Sequence, residues 1–215
     1  PLSSQARTVA AGVLAASGDT AGALEKLDEV VVLFPFHAPA YHERARLLAG
    51  LERMQEAEES LNAAVRANAY YTPSLVVIGT ICLQSGDPDR AEKFFRAALE
   101  TAPRYIEAKV GLAETLAVAE DHHAAAQGYL EVFSQTNIPA ARQGLVACCK
   151  NLYREKRFED CAAVLKSATE SAPRDEEMLF WLYRALERCG RESDAEKIKQ
   201  CLTASDTMNK YSRYL

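Results

Sequence analysis

The 215-residue chain has few aromatic residues, no long apolar run and no excess of basic charge. Aromatics make up 8% of residues while alanine is abundant, and this balance favours closely packed helices over sheets. The longest apolar runs, such as Val30 to Phe34, are far shorter than a membrane span, so we predict no membrane insertion. The net charge of −5 and the absence of a basic stripe argue against nucleic-acid binding.

Features of secreted proteins are also scarce. Six cysteines are too few for a disulfide scaffold in a chain of this length, and there is no Asn-x-Ser/Thr sequon. We therefore predict a reducing, cytoplasmic compartment. Because the chain starts at Pro1 without a methionine, we interpret it as a processed product or an excerpt of a longer protein.

Motifs of catalysis and cofactor binding are missing as well. The sequence has no glycine-rich phosphate loop, G-x-S-x-G elbow, H-E-x-x-H motif or dinucleotide fingerprint. His122 and His123 follow two acidic residues, but their spacing is not that of a specific zinc motif, so we predict a solvated turn. We expect no catalysis, no cofactor and no metal.

What the chain does have is a period of 34 residues, with one step of 36. Five sets of equivalent positions keep this period, and the shared step of 36 falls at the same place in each. One set carries small residues: Ala23, Ala57, Ala91, Ala125, Cys161 and Ala195. Another carries large residues: Leu27, Leu61, Phe95, Tyr129 and Leu165. Within each period the apolar spacing of three and four predicts two helices.

The third repeat has the clearest helix boundaries. Pro73 suits a first helical turn, Gly86 a C-terminal cap, Asp87 an N-cap and Pro88 the first residue of the next helix. Two extra residues within 136–141 should bend or lengthen the turn between repeats four and five.

This pattern resembles the tetratricopeptide repeat, a 34-residue helix–turn–helix with the motif W-x2-L-G-x2-Y, A-x3-F and P. Here it is Leu75-x2-Ile78-Gly79-x2-Cys82, Ala91-x3-Phe95 and Pro103. The resemblance implies an all-α, right-handed α-solenoid of about six repeats and about 12 helices. The implied repeats are near residues 4–37, 38–71, 72–105, 106–141, 142–175 and 176–204, with 205–215 as a C-terminal tail or end cap.

The resemblance also implies a concave groove lined by the first helix of each repeat. The implied partner-binding residues are His42, Arg46, Val76, Thr80, Leu83, Val110, Glu114, Val146, Lys150, Tyr153, Phe180 and Arg184. Their apolar middle suits an amphipathic helix or an extended peptide with apolar anchors. The alternative is that the apolar members pack between helices. The Lys/Asn/Arg clamp of chaperone-docking relatives is absent, which disfavours binding to acidic chaperone tails.

The segment from Val146 to Cys161 concentrates the remaining candidates. The cations Lys150, Arg154, Lys156 and Arg157 are typical of a solvated helix end. The alternative is that they form a docking patch for acidic groups. Cys148, Cys149 and Cys161 fall at apolar or small-residue positions, which predicts free, buried thiols. Cys149 aligns with the small residues Ala45, Gly79 and Ala113 of other repeats. If this set of positions touches the set that contains Cys161, Cys149 and Cys161 are neighbours, and a disulfide or metal site becomes the alternative.

The resemblance therefore implies a protein–protein interaction scaffold or adaptor, active in the assembly of a multiprotein complex. Two alternatives stay open. The chain is a regulatory or scaffolding repeat domain of a larger enzyme, or it is a structural subunit that self-associates.

Overall fold

The computed structural model describes residues 3–203, and these form twelve α-helices, which confirms the all-α prediction. The tail predicted at 205–215 lies outside the described residues. The helices are α1 Ser4–Ala16, α2 Thr20–Leu33, α3 Ala38–Gly50, α4 Met54–Ala67, α5 Thr72–Gln84, α6 Pro88–Thr101, α7 Ile106–Val118, α8 His122–Thr136, α9 Pro139–Arg154, α10 Phe158–Ser171, α11 Glu176–Arg188 and α12 Glu192–Thr203.

A tight turn joins the two helices of each repeat. One residue of this turn always has positive φ, and it recurs with the period of the sequence: Gly18, Glu52, Gly86, Glu120, Lys156 and Gly190. This left-handed residue ends the first helix and satisfies its last carbonyls. Asp87 then caps α6, since its carboxylate accepts a hydrogen bond of 3.1 Å from the backbone N–H of Arg90. The caps predicted for the third repeat are confirmed.

The two extra residues between repeats four and five act differently from the prediction. They lengthen helices rather than the turn: α8 has 15 residues and α9 has 16, while the other helices have 12 to 14. Asn137 ends α8 in the left-handed conformation, and Pro139 begins α9 after Ile138 alone. The expectation of a longer turn was wrong because asparagine tolerates this conformation and proline starts a helix readily.

The described residues belong to two compact units, an N-terminal unit ending at Ala108 and a C-terminal unit beginning at Lys109. In both units the small-residue positions are fully or almost fully buried, and helices approach closely there. A Cβ added at Gly79 would lie 3.0 Å from the Phe95 ring in the N-terminal unit. One added at Gly144 would overlap the Tyr129 ring in the C-terminal unit. No helix among the described residues is long and apolar enough to cross a membrane.

Candidate partner-binding site

A cavity of about 450 Å³ opens in the C-terminal unit, and we call it the aromatic–basic cavity. It is bounded by α9, by α11, and by the turn and first residue that lead into α10. Its aromatic residues are Tyr153, Phe158 and Trp181, and its basic residues are Lys150, Arg154, Lys156, Arg184 and Arg188. Among residues 3–203, no acidic side chain lines it. Its size and mixed lining are typical of ligand sites in proteins.

The aromatic rings pack on one another in edge-to-face contacts. The centroid of Tyr153 lies 5.5 Å from that of Trp181 and 5.0 Å from that of Phe158. Trp181 is only 6% exposed, and its other side contacts the buried ring of Phe180. These contacts leave few rotamers open to the rings, so the apolar wall is preorganised.

Two of the cations lie over the faces of these rings. The Nζ of Lys150 is 5.7 Å from the Trp181 centroid, and the guanidinium carbon of Arg188 is 5.1 Å from the Phe158 centroid. Such cation–π contacts stabilise a positive charge at an apolar surface. The arrangement therefore keeps positive charge at the cavity.

A network of ion pairs between α9 and α11 supports this geometry. Arg142 donates two hydrogen bonds to Asp175, of 2.5 and 2.8 Å, and contacts Glu177, which in turn accepts one of 2.8 Å from Lys150. Asp175 also caps α11, since it accepts from the backbone N–H of Met178. Burial alone would raise the pKa of the Asp175 carboxyl, but the hydrogen bonds from Arg142 and Met178 outweigh burial and lower it.

Three of the predicted groove residues meet in this cavity, namely Lys150, Tyr153 and Arg184. Val146 and Phe180 do not line an open surface, because they are 3% and 1% exposed and belong to the core. For these two residues the alternative interpretation, packing between helices, describes the structure. Replacing Val146 with glutamate would bury a charge, so that substitution cannot test binding. Val110 is half-buried and Glu114 is exposed.

The N-terminal unit has a smaller cavity of about 240 Å³ beside α3, α4 and α5, which we call the apolar cavity. Its apolar lining residues are Ala45, Ala49, Met54, Ala57, Leu61, Val77 and Ile81, and its polar lining residues are His42 and Arg46. His42 lies 3.1 Å from the Ser74 hydroxyl and packs edge-to-face on Tyr71. Burial lowers the pKa of His42. Of the other predicted residues in this unit, Val76 and Leu83 are half-buried and Thr80 is exposed.

The structure divides the basic cluster between a cavity and a surface ion pair. Lys150, Arg154 and Lys156 line the aromatic–basic cavity, whereas Arg157 pairs with Asp160 at 2.7 Å. The Phe158 ring beside them gives these cations an apolar surface that the charge pattern alone did not indicate.

The histidine pair differs from its prediction. His122 and His123 begin α8 instead of forming a solvated turn, and His122 has a side chain only 12% exposed. His122 Nε2 lies 3.4 Å from Glu155, and His123 Nδ1 lies 3.8 Å from Asp160. The acidic partners come from the next repeat, Glu155 from its turn and Asp160 from α10, which the local sequence could not reveal. Among residues 3–203 no group of three or more His, Cys, Asp and Glu could hold a metal.

The cysteines of the segment fill space, as predicted. Cys148, Cys149 and Cys161 are free and buried. The two small-residue positions do touch, since the Cys161 thiol donates to the backbone carbonyl of Cys149 at 3.4 Å. A hydrogen bond to Cys161, together with burial, raises the pKa of the Cys149 thiol well above its usual range. A protonated, buried thiol is a poor nucleophile and a poor metal ligand.

Sequence reasoning missed Phe158, Trp181 and Arg188 as functional candidates. Trp181 lies one position beyond the predicted groove residue Phe180. A signal was present, because Trp181 is the only tryptophan of the chain and takes the repeat position held by Val77.

Comparison with known proteins identifies the repeat. Two sequence models described as tetratricopeptide repeat match the chain, over residues 8–72 and 83–137. Tetratricopeptide repeat protein 33 of Xenopus laevis is 29% identical over 96 residues, which are 45% of this chain. The match spans 37% of the length of that curated relative.

Solved structures share the fold at low identity. PilW, a type IV pilus biogenesis factor, matches with a TM-score of 0.60 and 17% identity, over 96% of this chain and 97% of PilW. YrrB, described as a TPR protein with an unusual peptide-binding site, matches with a TM-score of 0.60 and 20% identity, over 79% and 87% of the two chains. O-GlcNAc transferase of Thermobaculum terrenum matches with a TM-score of 0.51 and 22% identity, over 61% of this chain and 26% of the transferase.

Paired helices on a constant period, with left-handed turn residues and small residues at the close approaches, define a helical-repeat protein. The chain belongs to the tetratricopeptide repeat family. Such repeats are generally protein–protein interaction modules and typically non-catalytic, although some occur within enzymes such as O-GlcNAc transferase.

Proposed function

We propose that this chain is a non-catalytic scaffold or adaptor that binds a segment of a partner protein and acts in the assembly of a multiprotein complex. The observation that carries the proposal is the aromatic–basic cavity. Tryptophan, tyrosine and arginine dominate the binding energy of protein interfaces, and here Tyr153, Trp181 and Arg184 line one cavity. A peptide-binding site in YrrB, which has the same fold, adds support.

Each unit offers its own site to a partner segment. In the C-terminal unit, a polar anchor enters the aromatic–basic cavity. An apolar side chain suits the apolar cavity of the N-terminal unit, where Met54 and Val77 are 58% and 37% exposed and offer apolar surface to a ligand. The groove residues Val76, Thr80, Leu83, Val110 and Glu114 remain proposed contacts on the helices α5 and α7.

A displayed-peptide selection on the purified chain tests this function. We expect enriched peptides that bind the native chain, and we expect Tyr153→Ala to weaken them by roughly tenfold or more, as loss of an interface hot spot does. Lys93→Ala, which removes an exposed cation on α6, is the matched control and should leave affinity unchanged. Circular dichroism verifies that each variant keeps its helices.

Two results would contradict the proposal. One is a selection that enriches no peptide. The other is a set of peptides that bind Tyr153→Ala, Arg46→Glu and Val110→Glu as tightly as the native chain.

A further inference from the structure

We propose that the aromatic–basic cavity binds a phosphate monoester, carried as a phosphorylated side chain on the partner segment. This inference rests on the proposed function, because it names the chemical class of the polar anchor.

Positive charge at the cavity exceeds what nearby acids neutralise. Lys150 pairs with Glu177 at 2.8 Å, and Arg184 lies 3.7 Å from Glu187. Across residues 3–203, the other three cations, Arg154, Lys156 and Arg188, form no ion pair with a carboxylate. Three uncompensated charges around one cavity favour an anion of more than one charge.

The choice between anions follows from charge and geometry. A phosphate monoester carries about −1.5 to −2 charges at neutral pH and has three acceptor oxygens. A carboxylate carries one charge on two oxygens, so it would leave most of this positive charge uncompensated. The phosphate monoester therefore matches the cavity better than an aspartate, a glutamate or a chain terminus.

Two buried donors at the cavity have no acceptor within the described chain. They are the indole Nε1–H of Trp181, on a side chain 6% exposed, and the Nε–H of Arg184. Buried donors are almost always paired, so each requires an acceptor from a ligand or from water. Both donors belong to residues that line the cavity, as does the hydroxyl of Tyr153, 3.5 Å from Arg184.

The shape of the site indicates a phosphate borne by protein rather than by a nucleic-acid strand. Single-stranded nucleic acids bind along a basic groove that follows several nucleotides. Here the aromatic and basic residues surround a single cavity, in a chain whose net charge is −5. The aromatic walls can contact the apolar part of one phosphorylated side chain, and a phosphotyrosine offers the largest such part.

The first experiment uses Trp181 as an internal reporter, since it is the only tryptophan of the chain. Phenyl phosphate, benzoate and inorganic phosphate are titrated while tryptophan fluorescence is recorded. We expect a saturable change with phenyl phosphate at roughly tenfold lower concentration than with benzoate, because the added charge forms further charged hydrogen bonds. Inorganic phosphate, which lacks the ring, should bind more weakly than phenyl phosphate. Equal responses to benzoate, or no saturable response to phenyl phosphate, would falsify the phosphate assignment.

The second experiment compares one selected peptide in three forms, with tyrosine, phosphotyrosine or glutamate at the anchoring position. Fluorescence anisotropy of the labelled peptides should show the phosphotyrosine form binding roughly tenfold or more tightly than either other form. A labelled RNA oligonucleotide is included, and binding of RNA at the affinity of the phosphopeptide overturns the inference.

Single-residue variants test whether the gain in affinity from phosphorylation depends on the aromatic–basic cavity. Arg188→Gln should remove most of the gain from phosphorylation, and Trp181→Phe should reduce it while keeping an aromatic ring in place. Arg174→Gln removes an exposed cation that does not line the cavity, and it should leave the gain intact. A gain that survives Arg188→Gln and Trp181→Phe places the phosphate elsewhere and overturns the inference.

The two proposals fail in different ways. If all three peptide forms bind alike and Tyr153→Ala weakens them, the scaffold function stands and the phosphate inference is wrong. If no peptide form binds, the proposed function itself is wrong.

Discussion

The two cavities occupy the same place in the repeat, three repeats apart, yet they offer opposite chemistry. Each lies between the first helix of one repeat, the start of its second helix and the first helix of the next repeat. Equivalent residues line both cavities: Arg46 and Lys150, Ala49 and Tyr153, Met54 and Phe158, and Val77 and Trp181. A small apolar site thereby corresponds to a larger site of rings and cations.

This comparison shows that the repeat backbone and the chemistry of its cavities are set by different residues. The backbone positions are the same in both repeats, because small residues and left-handed turns recur at fixed intervals. The ligand chemistry is set by a few side chains on that backbone, as is typical of sites on repeat folds. Substitutions at these equivalent positions, together with further cations such as Arg154 and Arg188, give the second cavity its rings and its positive charge.

The largest expected effect comes from replacing Trp181 with the residue of the other cavity. Trp181→Val should lower the free energy of unfolding by about 3 kcal/mol, because a ring that is 6% exposed leaves a void. Val77→Ala, at the equivalent position, should cost less than about 1 kcal/mol since Val77 is 37% exposed. Urea unfolding monitored by circular dichroism measures both, and equal losses would show that the two positions are equally well packed.

Two glycines provide the next contrast. Gly144→Ala should destabilise the C-terminal unit by about 1–3 kcal/mol, since the new methyl group would overlap the Tyr129 ring. A Cβ added at Gly50, in α3 of the N-terminal unit, would have no atom within 4 Å. Gly50→Ala should therefore raise the free energy of unfolding by about 0.5–1 kcal/mol. Thermal unfolding of the two variants should shift in opposite directions; a Gly144→Ala protein as stable as the native one contradicts the close packing.

Substitutions of the positive-φ turn residues test whether the second and fifth repeats have the same backbone strain. Glu52 and Lys156 hold φ of 60° and 63° at equivalent positions, where three other repeats place glycine. Glu52→Gly and Lys156→Gly should each raise the free energy of unfolding by up to about 1 kcal/mol. Gly86→Ala should destabilise by about 1 kcal/mol. Lys156→Gly should also weaken anion binding, whereas Glu52→Gly should not, and identical binding by both variants would remove Lys156 from the site.

Acid should affect the two sites in separate pH ranges. Burial depresses the pKa of His42, so the folded state disfavours its cation, and stability in the N-terminal unit is lost as pH falls below about 6.5. Asp175 also has a depressed pKa, but its carboxylate is the favoured form. Its contribution is therefore present above about pH 3.9 and is lost as pH falls through the lower folded value.

Amide hydrogen exchange measures this difference helix by helix. We expect α3 and α5 to lose protection at mildly acidic pH, and α9 and α11 to lose it only in stronger acid. His42→Gln should remove the first effect, and Asp175→Asn should reduce the second. Loss of protection in both units at one pH, unchanged by either substitution, would assign acid sensitivity to other groups.

Part of the fold and part of the site could be predicted from the sequence. The 34-residue period, the cap at Asp87 and the buried cysteines depend on local spacing, so they could be read directly. The longer helices around Asn137 were missed, because a two-residue insertion fits either a turn or two helix ends. The acidic partners of His122 and His123 were missed because they lie more than 30 residues away in sequence.

The sequence by itself determined the repeat, its helix pairs, its turns and the small residues that let helices approach, because each depends on neighbours within one period. Only the tertiary structure decided which predicted groove residues are open to a ligand. Packing buried Val146 and Phe180, and it brought Trp181 and Arg188 to Lys150 and Tyr153 from about 30 residues away. Such convergence depends on how α9, α10 and α11 stack, and the periodicity of a single repeat does not encode that.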